Sequence, residues 1–292
     1  MCEITIDLLA DWCEMLKAEL ARRGYVLHES AAPEDISLAF YNLQRRLVPP
    51  RQRAVFMSRE LGCPYEHRVG LDLLLRKASE GSDLRPYQSK KLLNAAFNDS
   101  LLSHWRIHHF HLGTRPDPKA PEFVERSRFV LFAWATNDEL FAIDVMGHGN
   151  WSRQRLLKIV DDNWPALIEN YRLKQVVGLK RTISDYDVQC LRSISMNSAT
   201  EVNGQIYAPP GGGCAASGTS VAVVFQHDSA CEIFESIQNR VVQNIHNLVE
   251  HARRAGYAMT PPFHFKLNPV AVDRIEVIEL HSKARFVFPA KI

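Results

Sequence analysis

Apolar residues in the first hundred positions recur with the spacing of amphipathic helices. Residues 4–24 place apolar side chains on one helical face, namely Ile6, Leu9, Trp12, Cys13, Leu16 and Leu20. The same periodicity predicts helices over residues 34–47, 66–79 and 87–102, with a break at residues 81–86. We therefore expect a helical N-terminal region.

The pattern then changes to runs of aromatic and β-branched residues, which are typical of strands. Three such runs cover residues 105–112, 128–135 and 140–146. Residues 136–139, Thr-Asn-Asp-Glu, predict a tight turn, so the last two strands should form an antiparallel hairpin. Residues 113–127 contain three prolines and predict a long loop that can fold over a site on the sheet.

Beyond this sheet the chain returns to helix and then to a second mixture of elements. A helix is predicted over residues 152–171, with Ser152 as its N-cap and an interruption near Pro165. A strand, a hairpin, a strand, a long helix and two closing strands are then predicted at residues 188–195, 200–207, 220–225, 229–255, 275–280 and 284–288. Asn203-Gly204 is the strongest of the hairpin signals.

Together these elements predict an α+β fold in three parts. Residues 1–86 form a helical N-terminal region, and residues 87–178 form a histidine-rich core in which helices flank a small antiparallel sheet. Residues 188–292 form a C-terminal α+β domain, with the boundary near residues 178–187.

Composition narrows the compartment and the class of partner. The 292 residues carry a net charge of only +2, so any nucleic acid would have to bind a local basic patch. No run of 18 apolar residues occurs, and the N-terminus lacks the pattern of a signal peptide. The six cysteines are scattered without a Cys-x-x-Cys pair, which argues against a disulfide scaffold or a thiolate zinc site. We expect a cytoplasmic protein that is not bound to a membrane.

The densest basic patch surrounds two consecutive prolines. It consists of Arg45, Arg46, Arg51 and Arg53. Charged runs are usually solvated surface, whereas arginines grouped in this way can also contact the phosphates of a nucleic acid. The sequence leaves both interpretations open.

The most unusual stretch places four histidines within eight residues, at positions 104, 108, 109 and 111. Strand alternation predicts that His109 and His111 share one face with Trp105 and Ile107. In the third strand, Phe141, Ile143 and Val145 should share a face, opposite to Ala142, Asp144 and Met146. His148 follows that strand between two glycines.

Three hypotheses fit these histidines. A pair of imidazoles can carry out acid–base catalysis of RNA cleavage without a metal, while Arg106 or Arg153 stabilises the charge on the phosphate. A zinc site can instead be formed by His109, His111 and His148 with Asp144. The histidines can also be purely structural, part-buried and bonded to the backbone.

Part of the chain resembles a known family. Trp105-Arg106-Ile107, Phe129–Trp134 and Asn137–His148 are similar to the strand core of RelE/ParE-type toxins, over roughly residues 100–155. The resemblance implies a small helix-plus-sheet protein of a kind that often cuts messenger RNA on the ribosome without metal. This chain departs from the family in its histidines at 108 and 111, where arginines are usual. It also has Trp151 where a tyrosine often follows.

The family's usual Arg/Lys/Tyr set therefore does not carry over intact. Arg106, His148, Arg153 and Arg155 occupy comparable regions of the sequence. The whole chain is also similar to bacterial proteins with Leu-Val-Pro-Pro and His-His-Phe-His-Leu-Gly elements, a resemblance that implies no activity.

A glycine-rich segment at residues 211–220 lacks the residues of a phosphate-binding loop and is interpreted as a flexible loop. It contains Cys214, a candidate nucleophile for which the sequence identifies no base.

These observations predict a bacterial endoribonuclease, either toxin-like or associated with phage defence. His109 and His111 are the expected acid–base groups, and Arg106 and His148 the expected phosphate contacts or supporting groups. The predicted substrate-binding residues are Arg45, Arg46, Arg51, Arg53, Arg153 and Arg155. RNA or the ribosome is the expected partner, together with an antitoxin-like protein. A zinc-dependent hydrolase and a non-catalytic subunit of a larger assembly are the alternatives.

Overall fold

The structure is a computed structural model that describes residues 3–28, 30–271 and 274–289. Met1 and Cys2, which belong to the N-terminal segment assessed above, lie outside the described residues. The predicted α+β class is confirmed.

The described residues form helices and strands in the following order. The helices are α1 (Leu8–Arg22), α2 (Pro33–Arg46), α3 (Arg68–Glu80), α4 (Ser100–Trp105), α5 (Arg155–Asn163), α6 (Asp185–Ser193), α7 (Val221–Gln243) and α8 (Ile245–Arg254). The strands are β1 (Ile4–Thr5), β2 (Ala54–Met57), β3 (His108–His111), β4 (Pro116–Asp117), β5 (Ala120–Val124), β6 (Phe129–Ala135), β7 (Glu139–Gly147), β8 (Thr200–Val202), β9 (Gln205–Tyr207), β10 (Phe263–Ala271), β11 (Arg274–Glu279) and β12 (Arg285–Pro289). Short 3₁₀ segments occur at Tyr65–His67, Arg85–Tyr87, Lys90–Leu93, Pro165–Leu167 and Glu169–Tyr171.

The chain divides into two compact units. The first comprises residues 1–41 and 225–292, and the second comprises residues 42–224. The domain boundaries expected from the sequence, at residue 86 and near residues 178–187, fall inside the second unit instead.

The first unit is built on a four-stranded sheet in the order β1-β10-β11-β12. Its three long strands are antiparallel, while β1 pairs parallel with the start of β10. Side chains of α1 and α7, such as Leu8, Phe234 and Val241, share a core with Phe265 and Val277 of the sheet. Because Ile4 and Thr5 pair with β10, α1 begins only at Leu8, later than predicted.

The second unit contains a four-stranded sheet in the order β2-β7-β6-β3. The β6–β7 hairpin is antiparallel as predicted, β3 lies antiparallel to β6, and β2 lies parallel to β7. One apolar cluster joins Phe132 and Trp134 to Leu156 and Val160 of α5. A second cluster joins Leu131 to Leu74 of α3. Since neighbouring positions 131 and 132 belong to different clusters, both faces of this sheet are buried.

A β-bulge in the hairpin changes the predicted faces of β7. Phe132 is opposite Asp144, whereas the next residue, Ala133, is opposite Ala142. The extra residue reverses the alternation beyond it. Val145 therefore packs in the same cluster as Ala142, and the face predicted for it is wrong.

Several other predicted elements are wrong. The helix over residues 87–102 is replaced by 3₁₀ turns followed by α4, because Ser89 and Asp99 cap two short segments. The strand predicted over 188–195 is α6, which starts at a capping box formed by Ser184 and Asp187. The apolar run over 220–225 is the start of α7, since such short runs do not distinguish strand from helix.

Candidate functional site

Three histidines, from β3 and the turn after β7, meet on one side of the sheet in the second unit. We call His109, His111 and His148 the histidine cluster. The ring centroids of His109 and His111 are 6.2 Å apart, those of His109 and His148 are 6.4 Å apart, and those of His111 and His148 are 5.6 Å apart. Strand β3 supplies the first two, and the turn after β7 supplies the third. The predicted shared face of His109 and His111 is thus confirmed, whereas Trp105, predicted on the same strand, is the last residue of α4.

Trp151 lies against two members of the histidine cluster. Its ring centroid is 4.5 Å from that of His109 and 4.8 Å from that of His148. On the core side it contacts Phe132, at 5.5 Å. The indole is half-buried, and so it offers part of a flat aromatic surface beside the imidazoles.

Arg126 binds the exposed histidine of the cluster. One of its guanidinium N–H groups (Nη2) donates to Nε2 of His148 at 3.0 Å. Because a guanidinium has donors only, Nε2 of His148 must carry a lone pair in this arrangement. Both side chains are exposed, so this cation is accessible to an incoming ligand.

His111 is enclosed behind the other two histidines. Its side chain is buried, and the Ser127 N–H donates to its Nδ1 over 3.4 Å. Burial and the neighbouring His109 lower the pKa of His111 to about 3. The imidazole is therefore uncharged at neutral pH.

The two remaining members of the cluster are also shifted toward the neutral form. Desolvation by burial lowers the pKa of His109, the carboxylate of Asp99 opposes that shift, and the positive charges of Arg126 and Lys91 reinforce it. Burial and the same two cations lower the pKa of His148. An anion placed among these groups would raise the pKa of both imidazoles, because opposite charge favours the protonated form.

A small pocket borders His109 on the side of the 3₁₀ segments and α4. We call it the base pocket, and its lining includes Ser89, Lys91, Phe97, Asp99, His108 and His109. Burial lowers the pKa of His108 to about 4, while the carboxylate of Asp99 opposes that shift. Neither His108 nor His109 makes a hydrogen bond through its ring within the described part of the chain. Both rings thus keep their nitrogens available to a ligand.

Other residues predicted for the site have different surroundings. Arg106 takes a left-handed backbone conformation, with φ 59°, at the end of α4. Its guanidinium lies 5.7 Å from the ring centroid of Trp134. Arg153 pairs with Asp185 at 3.1 Å.

Asp144 and Arg155 pair with each other at 3.3 Å. The buried Asp144 also accepts hydrogen bonds from the N–H groups of Gly62 and Val145. Its strand is separated from β3 by β6, so Asp144 is not grouped with His109 and His111.

The predicted basic strip is mostly engaged with the backbone. Arg45 donates to the carbonyl oxygens of Leu102 and Gly211, and Arg53 donates to those of Pro49, Arg51 and Thr136. The buried Arg46 donates to the carbonyls of residues 91, 94 and 95. Only Arg51 is exposed, and it lies 3.9 Å from Asp138. Neither interpretation left open by the sequence, a solvated charged loop or a strip of phosphate contacts, fits Arg45, Arg46 and Arg53.

The zinc alternative stays a prediction. Among the residues that the structure describes, no three histidine, cysteine or acidic side chains are arranged to hold a metal ion. The five described cysteines are free thiols. Nε2 of His148 is occupied by Arg126, and Asp144 by Arg155.

His104 stands apart from the other three histidines. It is buried in α4, where its Nδ1 bonds the carbonyl of Ser100 at 2.8 Å. Its Nε2 lies 3.8 Å from Sγ of Cys214 in the glycine-rich loop. This pair provides the base that the sequence did not identify, but burial raises the pKa of the Cys214 thiol and keeps the sulfur protonated.

Sequence reasoning missed Arg126, Lys91 and Asp99 as neighbours of the histidines. No periodic pattern marks them, because Arg126 lies in a loop, Lys91 lies in a short 3₁₀ segment and Asp99 precedes α4 as its N-cap. Trp151, four residues after Gly147, stands out in the sequence only as a departure from the toxin family, and not as a neighbour of the histidines.

No family model, no curated protein and no solved structure matches this chain. The resemblance to the RelE/ParE strand core stays a prediction. In the described ranges, no helix is both long and apolar enough to cross a bilayer.

Proposed function

We propose that this protein is a metal-independent ribonuclease whose catalytic groups are His109 and His148. The observation that carries the proposal is the pair of imidazoles 6.4 Å apart beside Arg126 and Trp151. Two imidazoles at this separation can each reach a different oxygen of one phosphodiester placed between them. The arrangement thus suits transfer of protons to and from one phosphodiester.

His109 is the general base in this proposal. Its lowered pKa keeps the imidazole uncharged at neutral pH, and its ring has no hydrogen-bond partner in the described chain that would compete with substrate. His109 removes the proton of the ribose 2′-hydroxyl, and the 2′-oxygen forms a bond to phosphorus. This role follows the sequence-based prediction for His109.

His148 is the general acid, in place of the predicted His111. A phosphate that draws Arg126 away frees Nε2 of His148, and the negative charge raises the pKa of that imidazole so that it takes up a proton. The bond from phosphorus to the 5′-oxygen breaks, and His148 protonates the leaving oxygen. The products are a 2′,3′-cyclic phosphate and a free 5′-hydroxyl.

The cations and the indole serve the phosphate and the nucleotide. Arg126 and Lys91 are both close enough to the histidines to shift their pKa values, and so they can stabilise negative charge that develops between the rings. The half-buried ring of Trp151 is suited to stacking on an unpaired base. His111 positions His148, against which its ring stacks.

The test is cleavage of a defined single-stranded RNA by the purified full chain, with and without a strong chelator. We expect cleavage in both conditions, products with 2′,3′-cyclic phosphate ends, and no cleavage of an RNA with deoxyribose at the cleaved position. His109→Gln and His148→Gln should each lower kcat by about 100-fold or more, the usual contribution of a general acid or base. His67→Gln, a part-buried histidine outside the cluster, is the matched control.

The same RNA must also be tested on translating ribosomes, because the toxin resemblance implies that setting. Loss of activity with the chelator would support a metal-dependent hydrolase instead. Absence of cleavage both in free RNA and on ribosomes would refute the proposal.

A further inference from the structure

We infer that the base pocket recognises guanine, so that cleavage follows a guanosine. This inference rests on the proposed ribonuclease function and adds a substrate preference to it. It starts from the position of the pocket, which shares His109 with the histidine cluster. A base held in the pocket keeps its own ribose beside the proposed general base.

Some polar groups around the pocket are already committed within the protein. The side-chain amide of Gln88 donates to the carbonyl of Arg46 at 2.7 Å, and its oxygen accepts from the N–H of Val48. Arg46 donates to three backbone carbonyls. The hydroxyl oxygen of Ser89 likewise accepts the N–H of Lys91 at 3.3 Å. Recognition of a ligand therefore depends on Lys91 and Asp99.

Asp99 sets the strictest chemical requirement. One carboxylate oxygen caps α4 by accepting the N–H of Leu102 at 3.1 Å, and the other accepts no hydrogen bond within the described residues. No ion pair engages Asp99 within the described residues. A carboxylate accepts hydrogen bonds only, so the ligand must present N–H groups to it. The ammonium of Lys91, which lies 4.5 Å from the ring centroid of Phe97, offers N–H donors and requires an acceptor.

Guanine meets both requirements along one edge. Its ring N–H and amino group are neighbouring donors for the carboxylate, and its carbonyl oxygen beside them is an acceptor for Lys91. Adenine and cytosine place a ring-nitrogen acceptor next to their amino group, which repels a carboxylate. Uracil has one N–H between two carbonyl oxygens. Reading of such edges in single-stranded RNA is the usual basis of base selection.

Binding of the four ribonucleoside 3′-monophosphates to the full chain tests the inference, measured by titration calorimetry. We expect guanosine 3′-monophosphate to bind at least tenfold more tightly than the other three. Asp99→Asn should reduce this preference to threefold or less. Asparagine caps a helix as well as aspartate does, so α4 is retained while an amide donor replaces the carboxylate oxygen.

Asp83→Asn is the matched control, because Asp83 also accepts a backbone N–H through its side chain but is exposed and does not line the pocket. It should keep the preference for guanosine. Equal binding of all four nucleotides overturns the inference, even if RNA is cleaved, and then the ribonuclease proposal still stands. Selective binding of guanosine 3′-monophosphate without cleavage of RNA supports the pocket and refutes the ribonuclease.

Discussion

The four histidines of residues 104–111 occupy distinct environments, although only seven positions separate the first from the last. His104 is bonded inside α4, His108 lines the base pocket, and His111 is enclosed with its Nδ1 as an acceptor. Only His109 faces both the pocket and the exposed His148. Clustering in sequence thus indicated the region, whereas burial and bonding distinguish the side chain that can exchange a proton with a substrate.

The interaction between Arg126 and His148 leads to a prediction at the scale of single residues. Arg126→Gln removes a positive charge and a charged donor from Nε2, and both changes favour protonation of the ring. We expect the pKa of His148 to rise toward the ordinary value of a histidine, as measured by an NMR titration of the imidazole. Arg115→Gln, at an exposed arginine just before β4, should leave the titration of His148 unchanged. An unchanged or lowered pKa in Arg126→Gln would refute the electrostatic coupling.

At the scale of elements, the sequence predicted best where a local signal and a buried face agree. The β6–β7 hairpin, the Asn203-Gly204 hairpin and the closing strands β11 and β12 are confirmed. Failures occurred where side-chain caps competed with periodicity, as at Asp99 and Ser184. The site was predicted in part, because alternation along β3 pairs His109 with His111. The segments that carry Arg126 and Lys91 show no periodic pattern from which their position at the site could be predicted.

Close packing between α3 and the end of β3 supplies a prediction about stability. A Cβ atom on Gly70 would collide with the backbone carbonyl of Leu112, which cannot move aside as a side chain can. We expect Gly70→Ala to lower the free energy of unfolding by about 1–3 kcal/mol, the usual cost of overpacking, although alanine has the better helix propensity. Urea denaturation followed by circular dichroism measures it.

Gly62→Ala is the control for this prediction. Gly62 has no heavy atom closer than 4.0 Å to the added Cβ, so the change in unfolding free energy should stay within about 0.5 kcal/mol. A Gly70→Ala protein as stable as the parent would show that α3 and β3 are not packed this closely.

At the scale of the whole molecule, the histidines and the pocket lie within one compact unit. Residues 42–224 contain the sheet, α3, α4 and α5, together with every residue assigned to the proposed site. Four of the five tryptophans also belong to this unit, at positions 105, 134, 151 and 164. In a Trp12→Phe background, tryptophan fluorescence therefore reports on the unit that carries the site.

This reporter permits a test of how the buried imidazoles link folding to pH. The pKa values of His108 and His111 are lowered to about 4 and about 3, below the ordinary value of 6.5. Below pH 6.5 these two histidines therefore bind protons in the unfolded chain before they do so in the folded unit. The free energy of unfolding is then highest above pH 6.5 and falls as pH decreases toward 4. Each such histidine contributes a slope of about 1.4 kcal/mol per pH unit once its unfolded form is protonated.

Urea denaturation followed by fluorescence between pH 7 and pH 5 measures this slope, in a range where most carboxylates stay ionised. We expect His111→Gln to reduce the slope of unfolding free energy against pH by the contribution of one histidine, even if the substitution also changes stability at pH 7. His67→Gln is the matched control, at a part-buried histidine outside the histidine cluster. A parent protein whose stability is independent of pH over this range would contradict the burial of neutral imidazoles. That result would also remove the basis for His109 as an uncharged base, because the same desolvation lowers its pKa.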